Sequence, residues 1–293
     1  MIKYIDWIQK TTMMFKKAGI DSPKLSAELI LSHVLNITRL QIIMTPFEPI
    51  PTNSYSTLND IMLRRLHGEP IAYLTGKKEF FSREFKVTQA TLIPRPETEL
   101  LIEFVLNHIN PTQQIYFADL GTGSGCIAIT LAAERKNWLG IATDISSEAL
   151  KIAKLNSLKN NTHSQLQFLQ SDFTQPLCLP SSLDLYISNP PYISENELTS
   201  LPHEVISFEP KIALTPHKCI HLDEINTVLH CYKKIITQAE ISLKPGGIII
   251  LEHGATQAEA ILLLLKNNIW TNVISHTDLT NKNRFITAYK YKI

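Results

Sequence analysis

The stretch Ile115-Tyr116-Phe117-Ala118-Asp119-Leu120-Gly121-Thr122-Gly123-Ser124-Gly125 decides the fold. Its first six residues are a short apolar run of the kind that forms a buried strand, and the glycines then break it. Cys126 to Arg135 reads as a helix. A strand, a glycine turn and a helix in succession let the backbone approach a ligand and aim free helix N–H groups at it. The spacing is GxGxG. It is neither the dinucleotide GxGxxG nor a phosphate loop, which needs Lys and Ser or Thr behind it.

The same alternation continues downstream. Leu139 to Thr143 reads as a second strand ending at Asp144, followed by a helix from Ser147 to Asn160. Leu166 to Leu169 is a third strand ending near Ser171-Asp172-Phe173, and Leu183 to Ser188 a fourth that runs into Asn189-Pro190-Pro191-Tyr192. A helix over Asp223 to Leu243, a turn at Lys244-Pro245-Gly246-Gly247 and a strand over Ile248 to Leu251 come next. A helix over Thr256 to Asn267 and two closing strands, Val273 to Ser275 and Arg284 to Tyr291, complete the pattern. Alternating strands and helices indicate a parallel sheet covered on both faces, with ligands at the carboxyl ends of the strands.

Those ends carry an ordered set of groups. Asp144 is placed to accept both hydroxyls of a ribose, Asp172 to accept from an adenine amine, and Phe173 to cover the ring. S-adenosylmethionine suits a loop without a pyrophosphate anchor. Its amino-acid tail would lie over Gly121, Thr122, Gly123, Ser124 and Gly125, near Asp119. Asp119 is equally suited to capping the turn. The two prolines after Asn189 fix φ and leave carbonyls free, so the tetrapeptide is either a plain loop or a rigid clamp for a planar amide or amine.

The region before the sheet is helical. Ile5, Ile8 and Phe15 recur at helical spacing up to a stop at Gly19. Ser22-Pro23 offers an N-cap and a first-turn proline for a helix bearing Leu25, Leu29 and His33 down one side, with Ile30 and Val34 alongside. His33 is expected to be a core or half-buried residue and not a ligand. A short helix over Thr38 to Met44 and a stripe of Leu58, Ile61, Met62 and Leu66 follow. Lys78 to Thr88 reads as a hairpin and Leu92 to Glu99 as a stiff loop leading into a helix. The expected domains are a helical unit over 1–75, a hairpin linker over 76–91 and an α/β domain over 92–293.

The 28 Lys and Arg residues nearly balance 27 Asp and Glu, giving a net charge of +1, which does not indicate nonspecific nucleic-acid binding or a membrane surface. Cys126, Cys178, Cys219 and Cys231 form no CxxC pair and have no zinc spacing; three lie in apolar or helical surroundings, which suits buried thiols of a reducing cytosol. No metal ligand set, signal sequence or membrane-length apolar stretch is evident. The expected location is the cytoplasm.

Asp119 through Gly125, Asp144, Asp172-Phe173 and Asn189-Pro190-Pro191-Tyr192 together resemble the class I S-adenosylmethionine-dependent methyltransferases. Gly68 to Gly76, Leu92 to Glu99, Phe208-Glu209-Pro210 with Ala213-Leu214, and Leu251-Glu252-His253-Gly254 narrow the resemblance to the peptide chain release factor glutamine methyltransferases. It runs from the helical front to the C-terminus. The resemblance implies an α/β fold: a seven-stranded Rossmann-like sheet, mostly parallel with an antiparallel last strand, behind a small helical substrate-recognition domain. It implies methylation of N5 of the glutamine in the Gly-Gly-Gln motif of class 1 release factors, by a monomer without a nucleic-acid partner. Asn189, Pro190 and Tyr192 are then the catalytic residues, with Pro191 beside them at the substrate. The cofactor set is Asp119, the glycine loop, Asp144, Asp172, Phe173 and Asn189. Two segments depart from the family pattern: Cys219-Ile220-His221-Leu222, and Asp278 to Arg284. A nucleic-acid N-methyltransferase with the same tetrapeptide and a non-catalytic cofactor-binding module are the alternatives; the glycine spacing disfavours an oxidoreductase.

Overall fold

The computed structural model describes residues 1–173, 179–216 and 223–292. Cys178 and the Cys219–Leu222 segment lie outside them. In chain order the first helices are α1 (Tyr4–Lys17), α2 (Pro23–Leu35), α3 (Arg39–Met44), α4 (Tyr55–Leu66) and α5 (Ile71–Thr75). Strands β1 (Lys77–Phe80) and β2 (Arg83–Lys86) form a hairpin. There follow α6 (Glu99–His108), β3 (Tyr116–Leu120), α7 (Cys126–Glu134), β4 (Leu139–Asp144), α8 (Ser147–Lys159), β5 (Leu166–Gln170) and β6 (Leu183–Ser188). The remainder comprises α9 (Glu195–Leu198), α10 (His203–Phe208), α11 (Lys211–Leu214), α12 (Glu224–Ser242), β7 (Leu243–Glu252), α13 (Ala258–Leu264), β8 (Trp270–Thr277) and β9 (Asn283–Lys290). Among the described residues no helix is long and apolar enough to cross a membrane.

These elements divide into two compact units, Met1–Lys77 with Pro202–Phe208, and Lys78–Leu201 with Glu209–Ile293. In the helical unit Trp7, Ile8, Phe15, Ala27, Ile30, Leu31, Leu58 and Ile61 share one core. The side of α2 expected to carry its stripe is not the buried one. Leu25 and His33 are exposed, and Ser26, Ala27, Ile30 and Leu31 face inward. The helix is apolar on several sides, and its small residues mark where a neighbouring helix approaches. Ser22 stands at the N-cap with φ 48°, but its side chain makes no capping bond. Pro202–Phe208 joins this unit through Arg65, a buried guanidinium that donates to Glu204 Oε2 at 2.8 Å and to the Glu69 carbonyl at 2.9 Å.

The second unit is built on a seven-stranded sheet in the order β5-β4-β3-β6-β7-β9-β8. The first five in that order run parallel, and β9 is antiparallel to both β7 and β8. Ile127, Ile129 and Trp138 pack with Phe117 and Ile187 on one face, and Tyr232 and Ile235 of α12 with Ala118 and Tyr186 on the other. The seven-stranded, mostly parallel sheet of the resemblance is therefore present. One detail differs. Lys244-Pro245-Gly246-Gly247 is not a turn ahead of a strand but part of β7: Leu243 pairs with Leu183, the register shifts, and pairing resumes at Ile248. Proline inside a sheet is confined to such irregularities, and Gly246 at φ 80° supplies the bend.

Gly140 of β4 pairs with Phe117 of β3, and a Cβ at Gly140 would overlap the Phe117 ring. Phe117 is wholly buried, so the ring has nowhere to retreat. Gly140→Ala is expected to lower the free energy of unfolding by about 1–3 kcal/mol, the range for overpacking a core. Urea denaturation of both proteins measures it, and an unchanged midpoint would refute the close packing.

Candidate active site

The chain leaves β3 toward β4 and β5 on one side and returns to β6 and β7 on the other, so the order reverses between β3 and β6. In open α/β sheets a crevice forms at such a point, beyond the carboxyl ends of the strands. The glycine loop follows β3 and the Asn189 tetrapeptide follows β6. Ser188 Oγ donates to the Leu120 carbonyl at 2.7 Å and locks the two strand ends together.

Gly121, Gly123 and Gly125 take φ of 69°, 56° and 84°, left-handed backbone that glycine adopts without strain. Asp119 holds this turn from beneath. Its Oδ2 accepts from Thr122 Oγ1 at 2.6 Å and from Ala128 N at 3.1 Å. Oδ1 is buried and has no hydrogen-bond partner among the described residues. Burial pushes the Asp119 carboxyl up to about 7, against the pull of those two bonds. Across the crevice Gly123 N donates to Asp144 Oδ2 at 2.8 Å and Ser146 N to Asp144 Oδ1 at 2.9 Å. Each Asp144 oxygen keeps acceptor capacity beyond its backbone bond. Burial raises the pKa of this carboxyl too, opposed by the backbone bonds. Ser124 is buried, and its carbonyl accepts from Asn156 Nδ2 at 2.8 Å, fixing the far side of the loop.

Gly121 is the point of closest approach. A Cβ there would stand 3.5 Å from the Phe173 ring and 3.8 Å from the Asn189 carbonyl oxygen. Three strand ends thus converge on one small residue. Asn189 Nδ2 donates to Thr98 Oγ1 at 3.2 Å, and Thr98 Oγ1 donates to Glu252 Oε2 at 2.8 Å. The Tyr192 carbonyl accepts from Gln257 Nε2 at 2.7 Å, and burial pushes the Tyr192 hydroxyl up to about 12, keeping it neutral. Pro190 is buried beside it.

A cavity of about 280 Å³ opens here, lined by Gly121, Gly123, Asp144, Asp172, Phe173, Asn189 and Pro191. Asp119, Thr122, Ser124, Gly125, Pro190 and Tyr192 are not in its lining. Sequence reasoning missed the α12 contribution of Thr227, His230, Cys231 and Lys234, whose i, i+3, i+4, i+7 spacing marks one helical face. It also missed Thr91 in the lining and, behind Asn189, Thr98 and Glu252. Cys126 and Cys231 are free, and burial raises both thiols to about 12, far from a reactive thiolate. Two of the resemblance segments meet at Glu209, which accepts from Arg95 at 2.6 Å and from Ile93 N at 3.1 Å. The divergent Asp278–Arg284 segment closes on Asp278, which accepts from Thr280 N, Lys282 N and Arg284 Nε.

A seven-stranded sheet with its last pair antiparallel, and a glycine loop and Asn-Pro-Pro-Tyr at the switch point, define a class I methyltransferase. Family models described as the PrmC N-terminal domain and the methyltransferase small domain match residues 6–76 and 97–212. A release factor glutamine methyltransferase of Nitratidesulfovibrio vulgaris is 43% identical over 273 residues, covering 92% of this chain and 90% of that protein. One of Coxiella burnetii is 37% identical over 270 residues, covering 91% and 92%. A bifunctional methyltransferase of Rickettsia typhi is 38% identical over 288 residues, which are 92% of this chain but 54% of that protein. The chain belongs to the release factor glutamine methyltransferase family.

Because Asp119 carries a pKa of about 7 when folded and about 3.8 when unfolded, the folded state holds the extra proton between those values. Its contribution to stability therefore falls as pH rises from about 4 to about 7. Asp119→Asn keeps an oxygen for Thr122 and Ala128 and removes the buried charge. The variant is expected to match or exceed the wild-type Tm at pH 8 and to flatten part of the decline, with Asp144 and Glu252 retaining the rest. Thermal unfolding across pH 5 to 8 decides it; a clearly lower Tm at pH 8 would refute it.

Proposed function

We propose that the protein transfers a methyl group from S-adenosylmethionine to N5 of the glutamine in the Gly-Gly-Gln motif of class 1 peptide chain release factors. The observation that carries this reading is the convergence of the Asn189 carbonyl, the glycine loop and Phe173 on one cavity. The names of the relatives supply the substrate. The residues fit the cofactor. Asp144 has acceptor capacity for ribose hydroxyls, the unpartnered Asp119 Oδ1 suits a cationic amine, and open space lies over Gly123. Asp172 and Phe173 are assigned to the adenine. Bound there, the cofactor supplies an electrophilic sulfonium methyl.

An amide nitrogen is a weak nucleophile because its lone pair is delocalised into the carbonyl. Asn189 Oδ1 and the Pro190 carbonyl accept its two N–H bonds, which turns the lone pair toward the methyl carbon. The same acceptors stabilise the positive charge that develops on nitrogen. The cofactor would supply the methyl carbon and take the carbon–sulfur electron pair on sulfur; Asn189 Oδ1 and the Pro190 carbonyl would hold the N–H protons until the alkylated nitrogen, now acidic, gives one up as product leaves. Tyr192 packs against the amide and excludes water. The helical unit is assigned to recognition of the release factor, 76–91 to the linker, and 92–293 to catalysis by a monomer.

Incubation with methyl-labelled cofactor and, in turn, release factor, DNA and ribosomal RNA is expected to place the label on the release factor glutamine alone. Label on a nucleic acid would overturn the assignment. Asn189→Ala is expected to lower turnover by about 100-fold or more, well beyond any change in cofactor affinity, the scale of losing a group aimed at developing charge. Asp144→Ala is expected to weaken cofactor binding by about 10- to 100-fold, from the loss of hydrogen bonds to a charged acceptor. Separate turnover and equilibrium binding measurements distinguish the two.

A further inference from the structure

Asn189 serves as an acceptor only if its side-chain amide is held one way round, and the groups behind it decide which. Thr98 and Glu252 are each 2% exposed, closed off from bulk solvent, and they bond to each other. A carboxylate offers only acceptors. The single Thr98 hydroxyl proton is therefore committed to Glu252 Oε2, which leaves lone pairs facing Asn189. Whatever atom Asn189 turns toward Thr98 must be a donor. Nδ2 occupies that place, and Oδ1 is left for the substrate side.

We propose that Glu252 and Thr98 are positioning residues that set the amide orientation of Asn189 and so make it an acceptor toward the nitrogen to be methylated. The proposal rests on the functional reading above for its substrate; the orientation itself is a property of the free protein. With the chain of donors reversed, Asn189 would present N–H to N–H, and the lone pair of the substrate would lose its guide.

Reversal needs one proton. A protonated Glu252 donates to Thr98, whose hydroxyl then turns to donate to Asn189 and selects Oδ1 in place of Nδ2. Burial pushes the Glu252 carboxyl up to about 7, opposed by the Thr98 bond. Glu97 raises it further, and Arg284 and Arg95 lower it. Tyr192, Tyr232 and Cys126 also lie within its field, all held neutral by burial, and the Tyr232 hydroxyl donates to the Glu252 carbonyl at 2.9 Å. Burial lowers the adjacent His253, so no nearby imidazolium holds Glu252 ionised. The deprotonated form is the competent one, so turnover rises with pH through the folded pKa.

The test uses the full chain with release factor and labelled cofactor, reading kcat, KM and cofactor Kd across pH 6 to 8.5. A second reading follows the Asn189 side-chain amide by 15N NMR in the protein without substrate, its signal assigned by its loss in Asn189→Ala. Thr98→Val is expected to lower kcat by about 10- to 100-fold, leave cofactor Kd unchanged, and abolish the acid limb of the rate profile. Thr98→Ser is expected to restore both rate and limb. In the wild type the Asn189 amide signal should titrate with the limb, and in Glu252→Gln it should not. An unchanged kcat and limb in Thr98→Val would overturn the proposal. So would an Asn189 signal that titrates alike in wild type and Glu252→Gln, which also decides the matter should Thr98→Val fail to fold. Absence of label on the release factor with wild type would defeat the functional reading, while the NMR titration would still judge the orientation.

Discussion

Everything at the site follows from two parallel strands that lie side by side and send the chain in opposite directions. Phe117 to Leu120 of β3 pair with Leu185 to Ser188 of β6, and Ser188 Oγ ties their ends. The glycine loop and the tetrapeptide are neighbours for that reason alone. Neither could be moved without breaking a ladder buried on both faces. Gly121, left-handed at φ 69°, then turns the chain between Phe173 and the Asn189 carbonyl, each within van der Waals reach of where a Cβ would stand.

The parts of this arrangement visible in the sequence are those encoded locally. Apolar runs ended by glycine, Asp144, Asp172 or Asn189 announce strand ends, and their alternation with helices announces a parallel sheet. The supports behind them were not visible, because they join residues far apart in the chain. Thr98 stands 91 residues before Asn189 and 154 before Glu252, and no periodicity links the three. The buried face of α2 was missed for a different reason. A helix with apolar residues on several sides leaves the choice to its neighbours, which selected Ala27 and Ile30 over Leu25. In β7 the Pro245-Gly246-Gly247 punctuation was overridden by pairing of Leu243 with Leu183, which carries the strand through the irregularity.

The resemblance segments acquire a physical reading once folded. Leu92 to Glu99 and Phe208 to Pro210 meet because Glu209 accepts both Arg95 and the Ile93 amide. The Glu252 of the Leu251–Gly254 segment accepts Thr98 from the first of these. Residues that look like scattered family marks are thus consecutive links that brace the carboxyl ends of β6 and β7.

The two halves of the crevice rely on the same device. Asp119 and Glu252 are both buried carboxylates, both pushed up to about 7, and each accepts from one threonine hydroxyl, Thr122 or Thr98. Burying a carboxylate costs stability, and an apolar residue would serve the core better. What an apolar residue lacks is polarity with a direction. Once ionised, such a group only accepts; it commits the threonine proton and leaves the threonine oxygen with lone pairs for any other neighbour. Under the glycine loop Asp119 ties Thr122 to the Ala128 amide of α7, and behind Asn189 Glu252 acts through Thr98 on an amide. The destabilising charges are placed where the geometry of polar groups, and not the packing of apolar ones, has to be unique.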